Sequence, residues 1–201
     1  MNDRESYIPS FKIGETLEGG AVGQVVESKT DLFKPGDYVQ SMLGWREYYL
    51  AKPELLTRID PDIAPIEAHL DVLGLTGMTA YYGLLDIGRP VEGETIFASA
   101  ASGAVGSIVC QIGKIKGCRV VGSAGSPDKT AWLLEEAGID AALNYKQVEN
   151  LYEELAGLCP RGIDVYYENV GGAHLEAALA LMNNYGRIVL CGMISQYNNR
   201  T

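Results

Sequence analysis

The chain of 201 residues has only two histidines, His69 and His174, which stand far apart. Its four cysteines (Cys110, Cys118, Cys159 and Cys191) include no Cys-x-x-Cys pair. No His/Cys group therefore sits at metal-ligand spacing, and no metal is expected. No Gly-x-Ser-x-Gly elbow occurs, which removes the usual signature of a Ser/His/Asp hydrolase. Basic residues are scarce: 16 Lys and Arg against 26 Asp and Glu leave a net charge of −10. That balance opposes binding to nucleic acid or to an anionic membrane surface. No run approaches the ~20 apolar residues of a membrane span. The polar start, Met-Asn-Asp-Arg-Glu-Ser, has no signal-peptide character. The scattered cysteines read as free thiols in a reducing, cytoplasmic setting.

Glycine is in excess: 24 residues of 201, about 12% against a usual figure of about 7%. Two textures follow along the chain. Up to about residue 70 it reads as β-rich, with a bent strand over Gly14–Glu27, a turn at Lys34-Pro35-Gly36-Asp37 and a short strand at Tyr38–Gln40. An aromatic strand is predicted at Trp45–Ala51, and the prolines at 53, 61 and 65 predict an irregular connection. Beyond it a helix is predicted over Thr79–Leu85, ending near Gly88, and a βαβ alternation begins. Strands are predicted at Thr95–Ala98, Arg119–Ser123, Ala141–Leu143, Asp164–Tyr167 and Arg187–Leu190. Helices are predicted at about Val105–Lys116, Asp128–Ala137, Gln147–Leu155 and Ala173–Met182, several closed by glycines such as Gly117 and Gly138. Five short apolar strands with helical crossovers imply an α/β fold with a parallel sheet covered on both faces.

The first of these strands runs into Ser99-Ala100-Ala101-Ser102-Gly103-Ala104-Val105-Gly106, with a helix directly after. Set against Gly-x-Gly-x-x-Gly, the key positions are Ala101, Gly103 and Gly106. Gly103 would admit a pyrophosphate against the backbone, Gly106 would let the helix pack closely, and the helix start would offer free amides to the anion. An ordinary βα turn with small residues for packing is the other reading. The second strand ends Gly122-Ser123-Ala124-Gly125-Ser126 without the acidic residue that binds an unphosphorylated ribose. Ser123 and Ser126 could donate hydrogen bonds to a 2′-phosphate, and Lys129 could supply a cation, although a single Lys is as easily a solvated one. NADP(H) is expected rather than NAD(H). Asp128 reads as a first-turn acid favoured by the helix dipole, and His174 reads as a capping or surface residue.

Four segments in order, Ala-Ala-Ser-Gly-Ala-Val-Gly (100–106), Lys-Gly-Cys-Arg-Val-Val-Gly (116–122), Tyr-Tyr-Glu-Asn-Val-Gly-Gly (166–172) and Gly-Arg-Ile-Val-Leu-Cys-Gly-Met-Ile-Ser-Gln-Tyr-Asn (186–198), closely resemble the zinc-independent medium-chain dehydrogenase/reductases. The resemblance is to the branch of enone and alkenal double-bond reductases. Asp3–Tyr7, Gly44–Tyr48 and Gly74–Leu85 resemble that family's substrate domain and its junction. The resemblance implies a partial GroES-like substrate domain over residues 1–70 and a Rossmann domain over 71–201. It implies an NADPH-dependent reductase of the C=C bond of α,β-unsaturated ketones or aldehydes. Gly103, Ala104, Val105 and Gly106 would hold the pyrophosphate, and Lys129 and Tyr145 the 2′-phosphate. Asn169 would lie by the ribose, and Cys191, Gly192, Met193, Ile194, Ser195 and Tyr197 beside the nicotinamide. On their own, Tyr145 reads as a strand-end aromatic and Asn169 as a turn residue.

Tyr197 is the candidate catalytic residue. Hydride delivery to the β-carbon leaves negative charge on the carbonyl oxygen, and a phenol hydrogen bond aimed at that oxygen lowers the barrier. Packing against the cofactor is the alternative role. Against the family the chain is expected to be cut at both ends, lacking the opening strands and the last strand of the dinucleotide domain. A family-type homodimer is then expected of the full-length protein rather than of this chain. A zinc-free quinone reductase and a catalytically inactive nucleotide-binding fragment are the competing readings; the partner is a small molecule in either enzyme reading.

Overall fold

The computed structural model describes residues 10–197. The Asp3–Tyr7 motif and Asn198 lie outside the described residues. The chain forms two units, Met1–Leu75 and Thr76–Thr201.

In the first unit, β1 (Ala21–Gln24), β2 (Tyr38–Ser41) and β3 (Thr57–Ile59) form an antiparallel sheet in the order β1-β2-β3. The Pro35-Gly36 turn forms as the sequence predicts: Gly36 has φ +96° and the Lys34 amide donates to Asp37 Oδ2 at 2.7 Å. Two expectations are corrected. The bent strand over 14–27 contracts to β1, because Gly14 takes a left-handed torsion (φ +86°) outside the sheet. Residues 45–51 are not a strand: Trp45 and Tyr48 are exposed, and the Trp45 amide bonds back to the Leu17 carbonyl. The third strand is β3 instead. It is too short, three residues between prolines, to leave a period in the sequence.

In the second unit, α1 (Leu75–Tyr82) passes through a wider turn at Gly83–Gly88 into a parallel sheet. Its strands are β4 (Thr95–Ala98), β5 (Arg119–Ala124), β6 (Ala141–Asn144), β7 (Ile163–Glu168) and β8 (Met182–Leu190). The order is β6-β5-β4-β7-β8, with α2 (Ala104–Ile115), α3 (Pro127–Glu135), α4 (Leu151–Leu158) and α5 (Ala173–Leu181) as crossovers. This is the doubly wound α/β sheet anticipated from the apolar strands. Both of its faces are dry: Ile96, Val120 and Val165 are buried in one cluster, and Phe97, Val121 and Tyr166 in the other. Phe97 and Tyr166 stack with centroids 5.0 Å apart.

Several boundaries move for local reasons. Helix α4 begins at Leu151 rather than Gln147 because Asn150 caps it, its Oδ1 accepting from the amides of Tyr152 and Glu153. Strand β8 begins at Met182 rather than Arg187, and an irregular pairing step around Tyr185 (φ +64°) hides its first half from a period-two reading. Helix α1 starts at Leu75, before the expected Thr79. Gly117 and Gly138 close α2 and α3 in left-handed torsions, as their positions predict.

The sheet order fixes where a ligand can sit. From β4 the chain moves out to β5 and β6, then returns to place β7 on the other flank of β4. Loops leaving β4 and β7 therefore part in opposite directions, and the crevice lies at their carboxyl ends. Among the described residues no helix is long and apolar enough to cross a membrane.

Candidate functional site

The turn after β4 is built around close backbone contacts. Helix α2 starts at Ala104 with Gly103 as its N-cap, and no side chain caps it. The first closing bond runs from the Ser107 amide to the Gly103 carbonyl, so the amides of Ala104, Val105 and Gly106 have no partner within the helix. A Cβ on Gly106 would stand 2.3 Å from the Ala100 carbonyl oxygen and 2.9 Å from Ala101 Cα. Only glycine lets the helix start lie against the turn. The left-handed torsion falls on Ala100 (φ +49°), not on Ala101, which explains why alanine is accepted at the first fingerprint position. Ala101 is buried, and its Cβ occupies the space that a side chain on Gly122 would need, 2.6 Å away. The Gly103 amide donates to the Ala100 carbonyl at 2.9 Å, so Gly103 shapes the turn while the next three amides face outward from the helix end.

At the end of β5, Ser123 has no exposed surface, and its Oγ is buried without a hydrogen-bond partner among the described residues. Ser126 caps α3, its Oγ accepting from the Lys129 amide at 3.4 Å, and Asp128 stands in the first helical turn. Lys129 is exposed. Tyr145 follows β6, with its hydroxyl 2.9 Å from where a Gly125 Cβ would stand. Lys146, which the sequence reading passed over, lays its Cε 3.3 Å from the same point. Gly125 thus sits below a phenol and an ammonium, with Ser126 and Lys129 on the adjoining turn.

His174 is corrected from a surface residue to a buried one, 4% exposed, with its ring edge against Tyr145 at a centroid distance of 5.0 Å. Burial lowers its pKa, and the nearby Glu168 opposes that shift. It supports the Tyr145 ring from behind.

On the other flank, β7 ends in Glu168 and the turn Asn169-Val170-Gly171-Gly172. Asn169 Nδ2 donates to the Ser99 carbonyl at 2.8 Å and its amide donates to Ser99 Oγ at 2.8 Å, which ties this turn to the end of β4. Gly171 and Gly172 take φ +75° and +55°. A Cβ on Gly171 would meet Met193 Cβ at 3.2 Å, and one on Gly172 would meet Ser195 Oγ at 3.3 Å. The glycine pair lets residues 191–197 lie against the turn. Cys191 and Gly192 donate their amides to the Glu168 carbonyl, and Ser195 bonds the Val170 carbonyl through both its amide and its Oγ. Burial raises the Cys191 pKa, and the Tyr167 hydroxyl works against that rise. Ile194 is exposed. Tyr197 is also exposed and turns its hydroxyl back to accept from the Met193 amide at 3.0 Å.

Ser99, Glu168 and Lys146 are the residues the sequence reading missed. The first two had a signal: each is a polar residue closing an otherwise apolar strand. Among the described residues no group of three or more His, Cys, Asp or Glu is gathered as a metal site. A resident zinc therefore does not fit them.

Residues 104–200 match the family described as "Zinc-binding dehydrogenase", and residues 1–59 that described as "N-terminal domain of oxidoreductase". Both matched segments and the relatives below are similar to the medium-chain dehydrogenase/reductases, and among these to the enone and alkenal reductases. The chain is 46% identical over 198 residues to the NADPH-dependent curcumin reductase of Escherichia coli (strain K12), covering 98% of this chain and 57% of that one. It is 47% identical over 194 residues to the NADP(+)-dependent 2-alkenal reductase of Nicotiana tabacum, covering 96% and 57%. The crystal structure of CurA from Vibrio vulnificus in complex with NADPH superposes with a TM-score of 0.93 at 42% identity, covering all of this chain and 59% of that one. The chain thus spans under three fifths of the length of these relatives.

Proposed function

We propose that this chain carries the dinucleotide site of an NADPH-dependent reductase acting on the C=C bond of α,β-unsaturated ketones or aldehydes. One observation carries the reading: three amides of an uncapped helix stand at the sheet's switch point, behind a turn that admits no side chain at Gly106. NADP(H), when bound, supplies the hydride. The Ala104–Gly106 amides neutralise the pyrophosphate. Lys129, Lys146 and Tyr145 meet the 2′-phosphate around Gly125. Asn169, held by Ser99, orients the ribose, and residues 191–197 line the nicotinamide side.

Tyr197 is the catalytic residue in this reading. Its hydroxyl places a hydrogen bond on the substrate's carbonyl oxygen and stabilises the enolate that forms there. The names of the curcumin and 2-alkenal reductases support the substrate class. The partner is therefore a small molecule, and the net charge of −10 opposes nucleic acid. Four free cysteines support a reducing, cytoplasmic location. Self-association of the family type is read by sedimentation.

Titration of the chain with NADPH and NADH by cofactor fluorescence tests the site, and NADPH oxidation with a panel of enones, enals and quinones tests the chemistry. The reading expects micromolar NADPH binding, weaker NADH binding, and turnover that favours enones over quinones. Absence of any dinucleotide binding refutes it. Binding without turnover leaves a non-catalytic nucleotide site, and quinone preference moves the chain to the quinone reductases.

A further inference from the structure

Glu168 is a carboxylate with no exposed surface, and no ion pair among the described residues includes it. Burying a charge without a cation is unfavourable unless hydrogen bonds replace its hydration. Here they converge on one of its two oxygens: Glu168 Oε1 accepts from Ser99 Oγ at 2.9 Å, the Val170 amide at 2.6 Å and the Gly171 amide at 2.9 Å, while Oε2 is buried without a hydrogen-bond partner among the described residues. Its partners do not belong to one turn. Ser99 is the first residue after β4 and opens the turn to α2, whereas Val170 and Gly171 belong to the loop after β7. Ser99 Oγ also accepts the Asn169 amide, and the Ser99 carbonyl accepts Asn169 Nδ2. The lattice reaches the third loop as well. Asn169 accepts the Ile194 amide, Val170 accepts the Ser195 amide, and the Glu168 carbonyl accepts those of Cys191 and Gly192.

Capping a turn needs only a short polar side chain such as Asn or Ser. Glu168 does something a cap does not, since it spans the gap between the loops on opposite flanks of the crevice. We propose that Glu168 is a positioning residue for the dinucleotide. Its carboxylate fixes the separation of the turn after β4 from the loop after β7, and through that loop the position of residues 191–195. The role rests on the cofactor site proposed above. Glu168 touches no bound group itself; it acts through Ser99 and the two amides. Pre-set loops bind a ligand without first being ordered, so the effect falls on affinity.

Three variants of the chain test this: Glu168→Gln, Glu168→Leu and Ser99→Ala. Gln keeps an acceptor oxygen for the same donors, whereas Leu keeps the bulk and removes the acceptor. The measurements are the NADPH dissociation constant by fluorescence, hydrogen exchange at Val170 and Gly171 without cofactor, and the unfolding midpoint. Expected results are a rise in the dissociation constant of tenfold or more for Glu168→Leu and threefold or more for Ser99→Ala. Glu168→Gln stays within threefold of the parent, and exchange at both amides accelerates in the Leu variant. Should Glu168→Leu fail to fold, Ser99→Ala, which leaves both amide bonds to Glu168 in place, decides the matter. A purely structural role lowers the unfolding midpoint while leaving the affinity of the folded protein unchanged, and that result overturns the proposal. If the parent chain itself binds no NADPH, the cofactor reading fails, and this inference with it. If the parent binds and the folded variants bind equally well, this inference alone fails.

Discussion

Replacing Gly106 with alanine is the sharpest perturbation of the dinucleotide turn. The added methyl would lie 2.3 Å from the Ala100 carbonyl oxygen, 2.9 Å from Ala101 Cα and 3.0 Å from the Ala100 carbonyl carbon. All three are backbone atoms, so no side chain can swing aside. Reaching ordinary contact requires the turn or the helix start to retreat by about 1 Å, and overpacking of this kind costs roughly 1–3 kcal/mol. Alanine's better helix propensity offsets at most about 1 kcal/mol of that. The net expectation is a loss of about 1–2 kcal/mol, or a fall in Tm of several degrees for a chain of this size. Affinity falls further than stability, because the displaced amides of Ala104–Gly106 are the groups proposed to meet the pyrophosphate; a loss of tenfold or more is expected, about 1.4 kcal/mol. Gly103→Ala is the control for stability. Its Cβ meets one atom, the Ala100 oxygen at 3.1 Å, and its backbone is not left-handed, so the turn yields by a few tenths of an ångström. Urea denaturation and NADPH titration of both variants decide the matter. A Gly106→Ala protein with the parent's midpoint and affinity refutes the close-packed turn and the site built on it.

Other outcomes follow from the same geometry. Tyr197→Phe is expected to lower enone turnover by about 100-fold with the NADPH dissociation constant within twofold, as loss of one oxyanion donor does; unchanged turnover returns Tyr197 to a packing role. Lys129→Ala and Lys146→Ala are each expected to weaken NADPH by about tenfold while sparing NADH, the scale of a lost charge-assisted contact; equal losses for both cofactors refute the 2′-phosphate assignment. His174, whose pKa burial holds below the ordinary 6.5, binds fewer protons folded than unfolded. Its contribution to stability is therefore complete above about pH 6.5 and declines as pH falls, and urea midpoints at pH 5.5 and 7.5 should lie closer together in His174→Gln. The Arg187 guanidinium holds Glu94 below its ordinary pKa at an N···O distance of 2.6 Å, so this pair stabilises the fold above about pH 4.5 and loses that effect in acid. Glu94→Gln is expected to cost about 1 kcal/mol at pH 7, read by urea denaturation, and less at pH 3.

How much of this was legible in the sequence depended on how local the cause was. The five parallel strands could be read because each is an apolar run between turn signals. Gly103 and Gly106 could be read because the βα turn is a contiguous motif. The first unit was harder: β3 has three residues and takes its place from pairing with β2, a non-local cause, whereas the aromatic run at 45–51 carries strand propensity that no partner strand uses. Ser123 was hard to read for a related reason: both faces of β5 are covered, so its place in the strand alone does not show that its hydroxyl is buried.

Ser99 and Glu168 show the converse. A polar residue ending an apolar strand is usually read as the point where the chain meets solvent, and both are fully buried. The sequence holds the two residues 69 positions apart, and only the parallel register of β4 with β7 brings Ala98 beside Tyr167 and so Ser99 beside Glu168. What made the pair invisible to a motif search is also what gives it leverage. A contact between the ends of two adjacent strands at the switch point bears on both loops at once, and the bonds of Asn169 to Ser99 reinforce it.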